Sequence, residues 1–349
     1  MSNRPYYEPK LVSILAPLMY EFIKMLQIKG IHPYHYVTIF KEIDSMHETK
    51  ELDSPVITRE LFLHWKEKFA NGNQRTAYEK VMNFRQFSQY ICHMGFASFI
   101  PLTPKRPKES YIPYIYSHKE IAMIFNTIDS TVLQTRHMTT CLICIPVILR
   151  FLYYCGARVG ETIAIRNEDI NMEQGFVLLK KTKNRQHRLI PLNENMKSIL
   201  DTYVKYRNRI PIKGIDEPEA SFFINYLGKM MSANAVYLHF RRILEKCNIT
   251  YRGKGQGPRV HDVRHTFAVH SLYHMVKSGL DIYTAWPILS VLLGHHDIYA
   301  TEHYVRLTLE IYPDLIKETG KNLGDIFPDI TNPVSYTHLR AHETGRNLV

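Results

Sequence analysis

The sequence predicts a mainly α fold with one small β-hairpin (α+β), arranged as two domains. Three observations carry that prediction. Apolar residues recur at three- and four-residue steps from residue 11 to about 98, a proline-rich basic stretch then breaks the pattern, and a later helical region is interrupted by two short strand-like runs around a polar tip. A length of 349 residues fits two domains at about 150 residues each and is enough to bury a core without a disulfide or metal staple.

In chain order, Leu11, Leu15, Leu18, Phe22 and Leu26 mark one helical face, and similar periods run through Leu61–Phe69 and Tyr78–Met94. Residues 1–100 are therefore expected to form a helical domain. Pro101-Leu-Thr-Pro-Lys-Arg-Pro-Lys-Glu-Ser110 follows, with three prolines and three basic residues, and residues 101–116 are read as a linker. Such a strap suits a phosphate backbone, and equally a plain soluble connection. The second domain, residues 117–332, opens on Ser117-His-Lys-Glu120, a capping-box pattern ahead of Ile121, Ile124 and Phe125. Thr140–Gly156 reads as a buried helix broken at Gly156. Phe176–Lys180 and His187–Leu192 form the hairpin around Lys181–Gln186, and helix returns from Val260. Residues 333–349 show no clear amphipathic period and are set apart as a tail of non-native character.

Composition narrows the function. Hydrophobic residues are 45% and charged residues 22%, and the longest apolar stretch, Cys141–Leu149, is too short to span a bilayer. Met1–Glu8 lacks an apolar signal core, and the five cysteines read as reduced thiols, so a cytoplasmic protein without a membrane partner is expected. The net charge of +11 divides into +5 for residues 1–108 and +6 for the remainder. Charge shared in this way points to a long polyanion touching both domains.

Four patterns can carry chemistry. Gly156-Ala-Arg158-Val-Gly-Glu161 places an arginine at a helix end, suited either to an anion or to an ion pair with Glu161. Lys180-Lys-Thr-Lys-Asn-Arg185 forms a basic hairpin tip, which suits a solvated turn as well as a phosphate contact. His261-Asp-Val-Arg264-His265 puts His261, Arg264 and His265 on one helical face. Leu293-Gly-His295-His296 precedes Tyr304 by nine residues counted from His295, in a chain with 23 tyrosines. No His-Glu-x-x-His or clustered Cys/His spacing is present, so neither a metal nor a cofactor is expected.

In this order the motifs resemble the tyrosine recombinase (phage integrase) family, over about residues 150–306. The resemblance implies a helical core-DNA-binding (SAM-like) first domain and a catalytic second one. It implies Arg158 and Arg264 as the two catalytic arginines, His261 as general base, His295 as the third phosphate ligand and Tyr304 as nucleophile. The hairpin lysine is Lys183 when Thr182-Lys183 is read as the turn, with Lys181 the alternative register. The long gap between Arg264 and His295 suggests an insertion at Ser278–Pro287. Candidate DNA contacts are Lys105, Arg106, Lys108, Lys181, Arg185 and His265.

These residue types suit phosphodiester transfer. Arginines and a histidine place positive charge where the transition state gathers negative charge, a phenol of pKa about 10 needs cationic help to attack, and the leaving 5′-oxygen needs an acid. The implied reaction is cleavage and rejoining of duplex DNA for a mobile element, through a 3′-phosphotyrosyl intermediate. Double-stranded DNA, a homotetramer in the synaptic complex and an accessory directionality factor are the implied partners. A type IB topoisomerase-like relaxing enzyme, a non-catalytic DNA-binding protein on the same scaffold and a metal-dependent nuclease are the alternatives.

Overall fold

The computed structural model describes residues 9–46, 53–107, 112–134, 143–180, 187–253, 257–295 and 299–315. Lys108, Lys181, Lys183, Arg185 and the tail 333–349 lie outside these ranges. The chain divides into two compact units, one running to Ser110 and one from Tyr111.

The first unit is helical: α1 (Ala16–Ile28), α2 (Tyr34–Asp44), α3 (Arg59–Phe69) and α4 (Gln74–His93). Leu15, Phe22 and Leu26 are buried along the predicted stripe, while Leu11 lies ahead of the helix, which starts beside Pro17. The Asp44 carboxylate fixes this entry by accepting from the Val12 and Ser13 N–H groups at 2.9 and 2.7 Å. Thr58 and Asn73 cap α3 and α4 through their side-chain oxygens. Phe22 meets Tyr36, Phe40, Phe87 and Tyr90 edge-on, and Trp65 packs 4.4 Å from Phe84 between ring centroids. Helical order ends at His93, yet the unit continues. The Phe99 N–H donates to the Ile57 carbonyl at 2.7 Å, and Arg85 donates to the Pro101 carbonyl.

In the second unit Tyr116 is fully buried and donates through its N–H to Thr266 Oγ1 at 3.0 Å, so a residue the sequence assigns to the linker belongs to a core. The Ser117–Glu120 capping box forms at the start of α5 (His118–Gln134). The central helix α6 (Cys144–Cys155) buries eight residues around its circumference and stops at Gly156, whose φ of 59° is left-handed. After the short α7 (Val159–Ile163), β1 (Ile170–Asn171), β2 (Phe176–Leu179) and β3 (Arg188–Pro191) form an antiparallel sheet in the order β1-β2-β3. The predicted hairpin is β2–β3, with Leu179 opposite Arg188 and Val177 opposite Ile190; β1 extends it by one short strand.

Helices α8 (Glu194–Arg207) and α9 (Ala233–Lys246), capped by Asn193 and Ser232, pack with α5 and α6 into a core that includes Val177, Ile190 and Phe240. A second cluster joins α10 (Val260–Lys277), α11 (Ile282–Leu293) and α12 (Tyr299–Ile311), and closes over Leu315. The segment 278–287 is a turn followed by the first half of α11. Asp281 caps that helix, and Pro287 lies inside it.

Candidate active site

Three helix ends build the site. Gly156 reverses the chain after α6, so Arg158 becomes the N-cap of α7. Its backbone N–H donates to Glu161 Oε2 at 3.0 Å and its Nη1 to Glu161 Oε1 at 2.7 Å. Glu161 is buried and also accepts from Arg188, at 3.2 Å from Nη1 and 2.6 Å from Nη2. Burial alone would raise the Glu161 carboxyl, but the hydrogen bonds and charge of Arg188, reinforced by Arg158, bring it down to about 2. The ion pair that the sequence allows for Arg158 therefore exists, and a second arginine shares it. Arg158 keeps 22% of its side chain exposed, which leaves its fork open to a ligand.

Arg264, on the first turns of α10, is 2% exposed. It donates through Nη1 to the Gly156 carbonyl and through Nη2 to the Leu293 carbonyl at 2.6 Å, the C-terminal ends of α6 and α11. Burial lowers it to about 9, and Arg158 pushes in the same direction. Oxygens at helix C-termini carry partial negative charge and offset part of that cost.

Tyr304 lies on α12 at 2% exposure. Its hydroxyl shares a 2.6 Å hydrogen bond with His265 Nδ1, and its ring lies 3.9 Å from the His303 ring and 6.2 Å, nearly parallel, from that of His295. Burial raises the phenol to about 12 against the lowering pull of Arg264 and Arg158, so it stays protonated at neutral pH. His295 follows Gly294, the left-handed cap of α11, and its Nδ1 is 2.7 Å from the buried Thr301 hydroxyl. Burial and the Arg264 and Arg158 charges hold His295 down at about 3. His265 is lowered to about 2 by burial and then by His261. Desolvation by its neighbours, followed by the charges of Arg264, Arg259 and Arg158, takes His261 down to about 4 against the raising pull of Glu161. All three imidazoles are neutral at pH 7 and can accept a proton or, at the other nitrogen, donate a hydrogen bond.

Arg158, Arg264, His295 and Tyr304 thus converge, with His261 beside them, its ring 4.9 Å from that of His265. His265, expected as a DNA contact, shares a hydrogen bond through its Nδ1 with the Tyr304 hydroxyl, and its ring faces those of His261 and His303 at 4.9 and 6.2 Å. Lys105 and Arg106 are exposed. Lys180, at the base of the hairpin, pairs with Glu168 and Asp169 at 2.8 and 2.7 Å, in the turn just ahead of β1. Sequence reasoning missed Arg188 as part of the site. Its signal was available: Arg188 shares the strand phase of the core-facing Ile190.

Known proteins share this architecture. Tyrosine recombinase XerD of Staphylococcus saprophyticus is 27% identical over 233 residues, covering 65% of this chain and 70% of that protein. The Tn1549 transposon integrase, solved in complex with transposon right end DNA, superposes with a TM-score of 0.57 at 16% identity, covering 86% of this chain and 99% of that one. A lambda integrase tetramer bound to a Holliday junction gives 0.55 at 16% identity, covering 81% and 77%. The model of the phage integrase family matches residues 116–310, more than half of the chain and all of the converging residues, so the protein belongs to that family and is a tyrosine-type site-specific recombinase.

Proposed function

We propose that Tyr304 attacks a phosphodiester of duplex DNA, forming a 3′-phosphotyrosyl bond as the bond from phosphorus to the 5′-oxygen breaks. The convergence of two arginines and a neutral histidine on one buried phenol carries this reading. Arg158 and Arg264 grip the non-bridging oxygens. Arg264 spends two of its donors on main-chain carbonyls and keeps the others for the phosphate. His295 donates a further hydrogen bond, worth about 3–4 kcal/mol in the transition state when preorganised. His261 is the general base for the phenol proton; the hydroxyl's 2.6 Å partner is His265 Nδ1, a neutral imidazole beside His261 that can relay the proton to it, and an anionic phosphate nearby would favour the imidazolium that forms. The 5′-oxygen takes its proton from the hairpin lysine, Lys183. Attack of a 5′-hydroxyl from another strand reverses every step, regenerating the phosphodiester and the free tyrosine.

The substrate is double-stranded DNA held by both basic units. Four copies of the chain assemble for two duplexes, in the cytoplasm, with exchange serving a mobile element and an accessory factor setting direction. The likeness to the transposon integrase and to the lambda tetramer supports this assembly.

The test is a nicked suicide duplex carrying the DNA that flanks the gene, incubated with chelator present. A denaturation-resistant protein–DNA adduct is expected with the wild type and not with Tyr304→Phe. Tight binding without an adduct would overturn the catalytic reading. An adduct without joining of two sites would assign a relaxing enzyme instead.

A further inference from the structure

Arg188 occupies a place where an apolar residue is expected. It opens β3 opposite Leu179 and shares a face with Ile190, both of which are buried in the core. Its side chain is 10% exposed. Nη1 and Nη2 are spent on the two Glu161 oxygens, and Nε is buried without an acceptor among the described residues. A buried charge with an unspent donor costs stability relative to Val or Ile at the same position, so packing does not account for it.

Its contacts do. On one side is Glu161, which holds both the N–H and the guanidinium of Arg158. On the other side is Gly294, immediately before His295. A Cβ placed there would stand 2.8 Å from Arg188 Nη1 and 2.9 Å from its Cδ. One guanidinium therefore spans the hairpin strand, the turn carrying Arg158 and the turn carrying His295.

Building on the reading of Arg158 and His295 as phosphate ligands, we propose that Arg188 is a positioning residue that clamps these two turns to the hairpin before DNA binds. It acts through Glu161 and the Gly294 backbone and touches no reacting atom. A bidentate fork is needed for this role. Lysine supplies the charge from a single nitrogen and cannot bridge both carboxylate oxygens in the same geometry.

The experiment uses the full chain with Arg188→Met and Arg188→Lys. Without DNA, amide hydrogen exchange should quicken in residues 156–163 and 288–295 as well as 188–191, and stay unchanged in α1–α4. On the nicked duplex, single-turnover adduct formation should slow by about 10²-fold in Arg188→Met while duplex affinity changes by less than about threefold, with Arg188→Lys intermediate in rate. Exchange that quickens in 188–191 alone would overturn the clamp. So would a full rate in Arg188→Lys, or equal losses of affinity and rate. If Arg188→Met does not fold, Arg188→Lys decides by the same exchange pattern. Should the wild type form no adduct, the recombination chemistry proposed above fails, and the exchange pattern still judges the clamp.

Discussion

Exchange of Glu161 for Gln removes one negative charge from between two arginines and keeps the shape of the side chain. In the fold the carboxyl sits at about 2 against an ordinary 4.5, because the pull of Arg188 and Arg158 exceeds the opposing effect of burial. A folded-state value below the unfolded one means that ionisation stabilises the fold above pH about 4.5, and that this contribution fades as the pH falls toward 2. At about 1.4 kcal/mol per pH unit, the gap amounts to about 3 kcal/mol at pH 7 and about 2 kcal/mol at pH 3.5. The chain has two tryptophans, and Trp286 lies on α11 of the second unit. Urea unfolding followed by Trp286 fluorescence, in a Trp65→Phe background, therefore reports on the relevant core. Glu161→Gln should be less stable by about 3 kcal/mol at pH 7, with the deficit narrowing below pH 4.5. A deficit that stays constant down to pH 3.5, or no deficit at all, would refute the electrostatic account of this turn.

Other outcomes follow from the same geometry. Gly156→Ala forces a side chain onto a φ of 59° with its Cβ 2.2 Å from the Phe267 ring; urea midpoints should show a loss of about 2–4 kcal/mol in the second unit. Tyr304→Phe, besides abolishing the adduct, leaves His265 Nδ1 without its 2.6 Å partner, and should cost about 1 kcal/mol in the same assay. Trp65→Ala empties the centre of the first unit and should cost about 3–5 kcal/mol there. Proteolysis should then cleave residues 16–93 early, while the Trp286 transition holds its midpoint.

What the sequence made legible was local. The α1 stripe, the Ser117–Glu120 box, the break at Gly156 and the β2–β3 alternation each depend on neighbours a few residues away. Helices α8 and α9 went unassigned, although Asn193 and Ser232 mark their starts and Met196, Leu200 and Tyr203 in α8, and Val236, Phe240, Ile243 and Leu244 in α9, recur at helical spacing. The order of Arg158, Arg264, His295 and Tyr304 pointed to the family, and the fold gathers those residues. Side-chain destinations were harder to read. His261, Arg264 and His265 share a helical face by spacing, yet Arg264 reaches back to the ends of α6 and α11 while His265 turns to Tyr304. Spacing sets where a side chain leaves the helix, and the partners brought by packing set where it arrives. The bond from Arg188 to Glu161 crosses 27 residues and answers to no local rule.

Arg264 is held by oxygens that every residue possesses. Its two anchors are the carbonyls of Gly156 and Leu293, and no neighbouring side chain has to be conserved in chemical type for that grip to persist. What must persist is the path of the backbone, enforced by left-handed glycines at 156 and 294. A lineage built this way can replace most of its residues and still present the same cation at the same spot. Its durable signature is then a pair of turns, with few fixed letters between them.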